Sequence, residues 1–164
     1  MSPSQAAFTI QAVRDDPDDL GAIAALFAQY AASLPIDLGY QDFDAELAAL
    51  PGQYAPPRGE LLLARGPAGE PLGCVALRPL APEGVCEMKR MFVRPAGRGL
   101  GLGRALAEAI IGEARSRGYH EMCLDSLASL TTAIGLYKRL GFQPISPYYA
   151  PPYPEDVLFL GLPL

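Results

Sequence analysis

Between residues 97 and 103 the chain reads Gly97-Arg98-Gly99-Leu100-Gly101-Leu102-Gly103, with a glycine at every second position. Such a run makes neither a good helix nor a good strand, because glycine loses the most backbone entropy on ordering and has no side chain to pack. Before it, Val85 to Arg94 reads as a long strand closed by Pro95. After it, Leu102, Ala105, Leu106, Ala109, Ile110 and Ala114 recur at helical spacing, with Arg104, Glu108 and Arg115 opposite and Gly118 as the stop. Strand, glycine turn and helix together form a device for holding phosphate, since bare backbone N–H groups and the helix dipole point at one anion. The spacing excludes two familiar versions. G-x-G-x-x-G fails in all three registers, where Leu102, Arg104 and Leu106 stand at the third glycine. A Walker loop fails because no lysine lies between Lys89 and Lys138.

The remaining pattern places this loop in one α/β domain. With 164 residues the chain suits a single domain spanning residues 1–164, without linker or internal repeat. Phe8 to Val13 reads as a strand, and Asp16 caps a helix whose first position is Pro17 and which runs to about Ser33. Asp42 to Leu50 gives a short helix before Pro51. Glu60 to Arg65 and Leu72 to Arg78 flank the turn Gly66-Pro67-Ala68-Gly69 as a hairpin. Glu121 to Leu124 is a strand, Ala133, Leu136, Tyr137 and Leu140 a helix face ended by Gly141, and Val157 to Leu160 a last strand. The order β-α-α-β-β-β-α-β-α-β-β predicts a mixed, mostly antiparallel sheet flanked by helices, with its early hairpin antiparallel and its helix crossover parallel.

Composition narrows the function. A net charge of −5 argues against a general nucleic-acid binder, and the single histidine, His120, leaves no set of imidazoles for a zinc site, so no metal is expected. Residues 1–60 carry nine acids against two bases, whereas Lys89, Arg90, Arg94, Arg98 and Arg104 fall in a window with no acid. That cationic window suits a small anionic ligand, or else is a solvated basic edge. Cys74, Cys86 and Cys123 form no C-x-x-C pair, and their odd number fits a reducing cytoplasm. The uncharged stretch from Leu20 to Ile36 is interrupted by Gln29, Tyr30, Ser33 and Pro35 and follows aspartates, so neither a signal peptide nor a membrane anchor is expected.

What fits the loop is Arg98-x-x-Gly101-x-Gly103 after Met91-Phe92-Val93-Arg94-Pro95. It resembles the pyrophosphate motif [QR]-x-x-G-x-[GA] of the GNAT superfamily of acetyl-CoA-dependent N-acetyltransferases. Downstream, Ala133-x-x-Leu136-Tyr137-x-x-Leu140-Gly141-Phe142 is similar to that family's A-x-x-[LF]-Y-x-x-x-G-F segment. The resemblance is specific over residues 85–142 and weak over residues 1–60. One departure is Leu130, where many members carry a cofactor-contacting Asn.

The resemblance implies acetyl-CoA as co-substrate and direct transfer to an amine. Arg98, Gly99, Leu100, Gly101, Leu102, Gly103 and Arg104 would then surround the pyrophosphate, and the backbone of Met91, Phe92 and Val93 would pair with the pantetheine amides like an added strand. The two arginines are otherwise helix-start surface charges. Tyr137 corresponds to the tyrosine whose hydroxyl faces the CoA sulfur, and a phenol of reference pKa about 10 is well matched to a thiolate of about 8.5; the alternative is a core aromatic. Glu87 stands where some members carry a general base, acting directly or through water; the alternative is a strand carboxylate paired with a neighbouring cation. Period-2 geometry would put Val85, Glu87, Lys89, Met91 and Val93 on one face. The strand cysteines Cys86 and Cys123 read as small core residues, and His120, Asp125 and Ser126 stand too close along one strand to make a triad.

The acceptor is expected to be a small amine or amino-acid-like molecule, met by the acidic run Asp37, Asp42, Asp44 and Glu46 and by Tyr148, Tyr149 and Tyr153. The same residues also read as a solvated surface with a proline-rich wrap or homodimer contact. A protein lysine or N-terminus as acceptor, and a non-catalytic acyl-CoA-binding module, remain open alternatives.

Overall fold

A computed structural model describes residues 7–164. The first strand, β1 (Thr9–Ala12), leads to Asp16, whose carboxylate accepts from the N–H groups of Asp18 and Asp19 at 2.8 and 3.3 Å. Pro17 then opens helix α1 (Pro17–Ser33) without wasting a donor. The helix stops because Leu34, preceding Pro35, is extended at φ −88° and ψ 147°. A 3-10 turn over Leu38–Gln41 feeds the short helix α2 (Phe43–Ala48). Three strands follow: β2 (Glu60–Arg65), β3 (Pro71–Pro79) and β4 (Val85–Val93). After them come α3 (Leu102–Ser116), β5 (Glu121–Leu127), α4 (Thr131–Arg139), the two-residue β6 (Gln143–Pro144) and β7 (Val157–Pro163).

The strands form one sheet in the order β1-β2-β3-β4-β5-β7-β6. All neighbours are antiparallel except β4 and β5, which α3 joins by a crossover. In β2, Leu62 and Ala64 join Leu102, Leu106, Ile110 and Ala114 of α3, while Leu61 and Leu63 join Ile23, Leu26 and Phe27 of α1. Both faces of the sheet are thus covered, which is why β2 and β3 read as apolar runs rather than alternating ones. Each fully buried leucine or isoleucine contributes at most about 1.5–3 kcal/mol by its area.

The sequence expectation fails in phase along β4. Cys74 pairs with Phe92 but Ala76 with Lys89, so one strand carries an extra residue, and Arg90 takes φ +59° at that point. This β-bulge reverses the alternation. Cys86 and Met88, and beyond the bulge Met91 and Val93, pack on the α3 side, whereas Phe92 packs on the α1 side. Glu87 and Lys89 therefore do not share a face with Met91 and Val93. Lys89 and Arg90 instead both reach Gln41 on the α1 side.

The second departure from a plain sheet makes the site. β4 and β5 pair only over Val85–Glu87 and Glu121–Cys123. Beyond that, β5 keeps all its residues on β7, and the two parallel strands part. An edge of β4 up to Val93 is left facing a cleft.

Candidate active site

Three spaces adjoin one another through the parted strands. The largest, about 710 Å³, is a groove over the free end of β4, with the glycine loop and the first turns of α3 and α4 as its walls. The loop is shaped by a 3-10 turn over Pro95–Gly97 and by Gly99 and Gly101 at φ +80° and +73°, a region that costs any residue with a Cβ. Gly101 precedes α3 and offers no side-chain cap, so the first N–H groups of that helix have no partner within it. The start of α4 repeats the arrangement: Leu130 precedes it and caps nothing. Met91, Phe92, Val93, Arg98, Gly99, Gly101, Leu102, Gly103, Arg104 and Tyr137 all line this groove. Leu100 does not; it is 42% exposed and points away. Arg104 is 54% exposed in its side chain and pairs at 2.8 Å with Glu108 on the same helix.

Tyr137 belongs both to the groove and to a tight chamber of about 60 Å³ between β4 and β5. Its ring is only 6% exposed and meets Phe142 edge-on, with centroids 5.8 Å apart. Burial pushes its phenol above the ordinary value, and Tyr30 and Asp125 add to the shift. It therefore holds its proton through the neutral range. Tyr30, which also borders both spaces, is pushed up to about 12 by burial.

The chamber shares Tyr40, Gln41 and Lys89 with an outer cavity of about 440 Å³, walled also by Asp42, Arg78 and Tyr149. Around it most charges are already paired. Arg90 grips Glu46 with Nε and Nη2 at 2.9 and 3.0 Å, donates to Gln41 at 3.0 Å and lies over the Phe43 ring. Glu87 is 0% exposed and belongs to the wall of none of the three spaces. Its Oε1 accepts from Arg78 Nε at 2.6 Å and its Oε2 from the Tyr148 hydroxyl at 2.5 Å. Lys89 Nζ stands 3.9 Å from Glu87 and donates to Gln41 at 3.0 Å; burial lowers its pKa, with the Glu87 charge opposing. On β5, Asp125 accepts from the Tyr149 hydroxyl.

The expected acidic run is mostly spent elsewhere. Asp37 caps the 3-10 turn through the N–H of Gly39, Glu46 neutralises Arg90, Asp44 faces solvent, and only Asp42 borders the outer cavity. Of the tyrosines, Tyr148 and Tyr149 pack on Phe159 and turn their hydroxyls to Glu87 and Asp125, while Tyr153 is exposed. The Pro144–Pro154 loop thus forms part of the wall of the outer cavity, through Tyr149, Ala150 and Pro152. Burial pushes the Cys86 and Cys123 thiols up to about 12 and the Cys74 thiol higher, so all three remain protonated core groups at neutral pH. His120 sits exposed against Gly84, away from the cleft.

The sequence pattern gives no site role to Ser129, Thr131, Thr132 and Arg139 of the groove or to Asp125 of the chamber. A signal for the bulge was present: adjacent bases Lys89-Arg90 inside a strand break its alternation.

A mixed sheet parted between two parallel strands, with a glycine-turned helix start beside the gap, agrees with the acyltransferase architecture that the two motifs imply by resemblance. The chain belongs to the acetyltransferase (GNAT) family, whose model matches residues 23–142. It is 43% identical over 157 residues to an uncharacterized N-acetyltransferase of Schizosaccharomyces pombe, covering 96% of this chain and 94% of that one. Its fold is similar to that of a candidate acyl-CoA N-acyltransferase from Klebsiella pneumoniae, with TM-score 0.71, 31% identity and coverage of 98% and 99%. A candidate acetyltransferase from Salmonella typhimurium, solved with its cofactor acetyl-CoA, shares the fold at TM-score 0.69 and 24% identity, covering 96% of this chain and 94% of that one. No helix among the described residues is long and apolar enough to cross a membrane.

Proposed function

We propose that the chain transfers the acetyl group of acetyl-CoA to the primary amine of a small, amino-acid-like acceptor by direct attack. The carrying observation is the position of Tyr137, on the boundary between the long groove and the chamber. In this reading the groove takes acetyl-CoA, with its pyrophosphate on the N–H groups at the start of α3 and its pantetheine along Met91 to Val93. The residues fit: the free β4 edge supplies amide partners, and the glycines keep side chains out of the phosphate cradle. The acceptor enters from the outer cavity. Its neutral nitrogen attacks the thioester carbonyl, the C–S bond breaks, Tyr137 gives its proton to the departing thiolate, and the surplus proton on the new amide nitrogen restores the phenol.

The amine must also lose a proton, having a pKa of about 10 when free if it is lysine-like. Glu87 is the proposed base; since it borders none of the three spaces and both its oxygens already accept hydrogen bonds, it acts through a water that takes the place of the Arg78 or Tyr148 donor rather than directly. A small acceptor suits the narrow chamber better than a protein loop. An L-methionine sulfoximine/L-methionine sulfone acetyltransferase from Pseudomonas aeruginosa, 37% identical over 87 residues and matching 51% of this chain, supports an amino-acid-like acceptor.

The test is thiol release from acetyl-CoA across a panel of amines. Tyr137→Phe is expected to lower kcat about a hundredfold while leaving acetyl-CoA affinity unchanged, and Glu87→Gln to lower kcat by a similar factor at constant pH. Tight acetyl-CoA binding with no amine-dependent thiol release would overturn the reading in favour of a non-catalytic acyl-CoA-binding module.

A further inference from the structure

The register of the parted strands sets two opposite charges face to face. Glu87 and Cys123 are the last paired residues of β4 and β5. Two positions further on, on the same faces, stand Lys89 and Asp125, and both line the chamber. Among the described residues no ion pair closes between them. The carboxylate nearest Lys89 is Glu87, at 3.9 Å and already held by Arg78 and Tyr148. Asp125 has the neutral Tyr149 hydroxyl. The other chamber cation, Arg90, is neutralised by Glu46. One cation and one anion thus face the same small space with their charges incompletely answered, an expensive arrangement unless a ligand completes it.

We infer that the acceptor is a zwitterion, an amine that also carries a carboxylate, held by Lys89 at its carboxylate and by Asp125 at its ammonium before deprotonation. This rests on the acetyl-transfer reading and narrows its acceptor. The orientation follows from which space each residue borders. Asp125 lies in the chamber with Tyr137, where the nucleophile must arrive. Lys89 borders both the chamber and the outer cavity, so it stands on the outward side of the chamber. The carboxylate therefore trails outward and the amine leads. A buried cation that expects a carboxylate discriminates strongly against an analogue without one, because the site is then left unpaired.

The experiment measures thiol release from acetyl-CoA with a set of α-amino acids, each beside its primary amide and its decarboxylated amine. The wild type is expected to favour the best amino acid over both neutralised analogues by about a hundredfold in kcat/KM. Lys89→Met is expected to bring that preference within about threefold, and Lys89→Arg to retain part of it. Asp125→Asn is expected to slow all three acceptors, with acetyl-CoA affinity unchanged in every variant as evidence of folding. Amines and amides acetylated as well as the amino acids, or a preference that survives Lys89→Met, overturn this inference alone. The absence of amine-dependent thiol release with every acceptor in the set overturns the acetyl-transfer reading with it.

Discussion

The two sides of the parted strands are built from different materials. On the groove side the chemistry is offered by main chain: the free edge of β4, two glycines at positive φ and the uncapped starts of α3 and α4. On the chamber side it is offered by side chains drawn together from distant parts of the chain. Arg90 meets Glu46, 44 residues away, and Glu87 meets Tyr148, 61 residues away. A main-chain site depends on a few local conformations and tolerates changes of side chain. A side-chain site of buried charges depends on every partner, since removing one strands the other.

The largest effect expected from this difference is on stability. Arg90 and Glu46 are both nearly inaccessible in their side chains. Arg90→Met leaves a buried carboxylate without its cation, which costs about 3–5 kcal/mol and is expected to lower Tm by about 10 °C in calorimetry. Adding Glu46→Gln to the same chain recovers part of the loss, because the orphaned charge is gone. A Tm drop of only a degree or two for the single variant would break the contrast, showing that the chamber side does not lean on its buried pair.

A smaller effect, of the opposite kind, is expected in the groove. Nothing lies within 4 Å of where a Cβ would stand on Gly101, so the cost of Gly101→Val is conformational: φ is +73°. Holding a β-branched residue there costs about 1–2 kcal/mol, and the loop relaxes away from it. The expected outcome is an acetyl-CoA KM raised about tenfold with Tm nearly unchanged. An unchanged KM would mean that the loop conformation is not what receives the co-substrate.

The same difference explains what was legible in the residues. Caps, turns and glycine spacing are local, so Asp16-Pro17, the hairpin and the Arg98–Gly103 loop could be read along the chain, as could the element order. Leu100 keeps its side chain exposed, so a contact with phosphate at that position falls to its main chain, which spacing alone does not distinguish. Glu87 was put on the wrong face relative to Met91 and Val93 because the bulge at Arg90 adds one residue and inverts the phase beyond it. The engagement of Glu87 by Arg78 and Tyr148, and the opposition of Lys89 and Asp125, arise only when strands and loop meet. No period or motif encodes them.

The smallest effect gives the sharpest separation of main chain from side chain. Arg104 stands on the first turn of α3 at the groove, in the sequence context where a phosphate-binding arginine is expected. Yet its side chain is more than half exposed and already pairs with Glu108 one turn on. Exposed pairs of this kind contribute at most about 1 kcal/mol. If the N–H groups of the helix start carry the pyrophosphate, Arg104→Ala removes only a screened charge. The acetyl-CoA KM is then expected to rise less than about fivefold at low salt, and the difference to fade as the Debye length shrinks to about 3 Å at 1 M salt. Measuring KM for both proteins across a salt series checks this. A hundredfold rise that persists at high salt would mean that the guanidinium, not the backbone, holds the phosphates, and the groove would then be a side-chain site like the chamber.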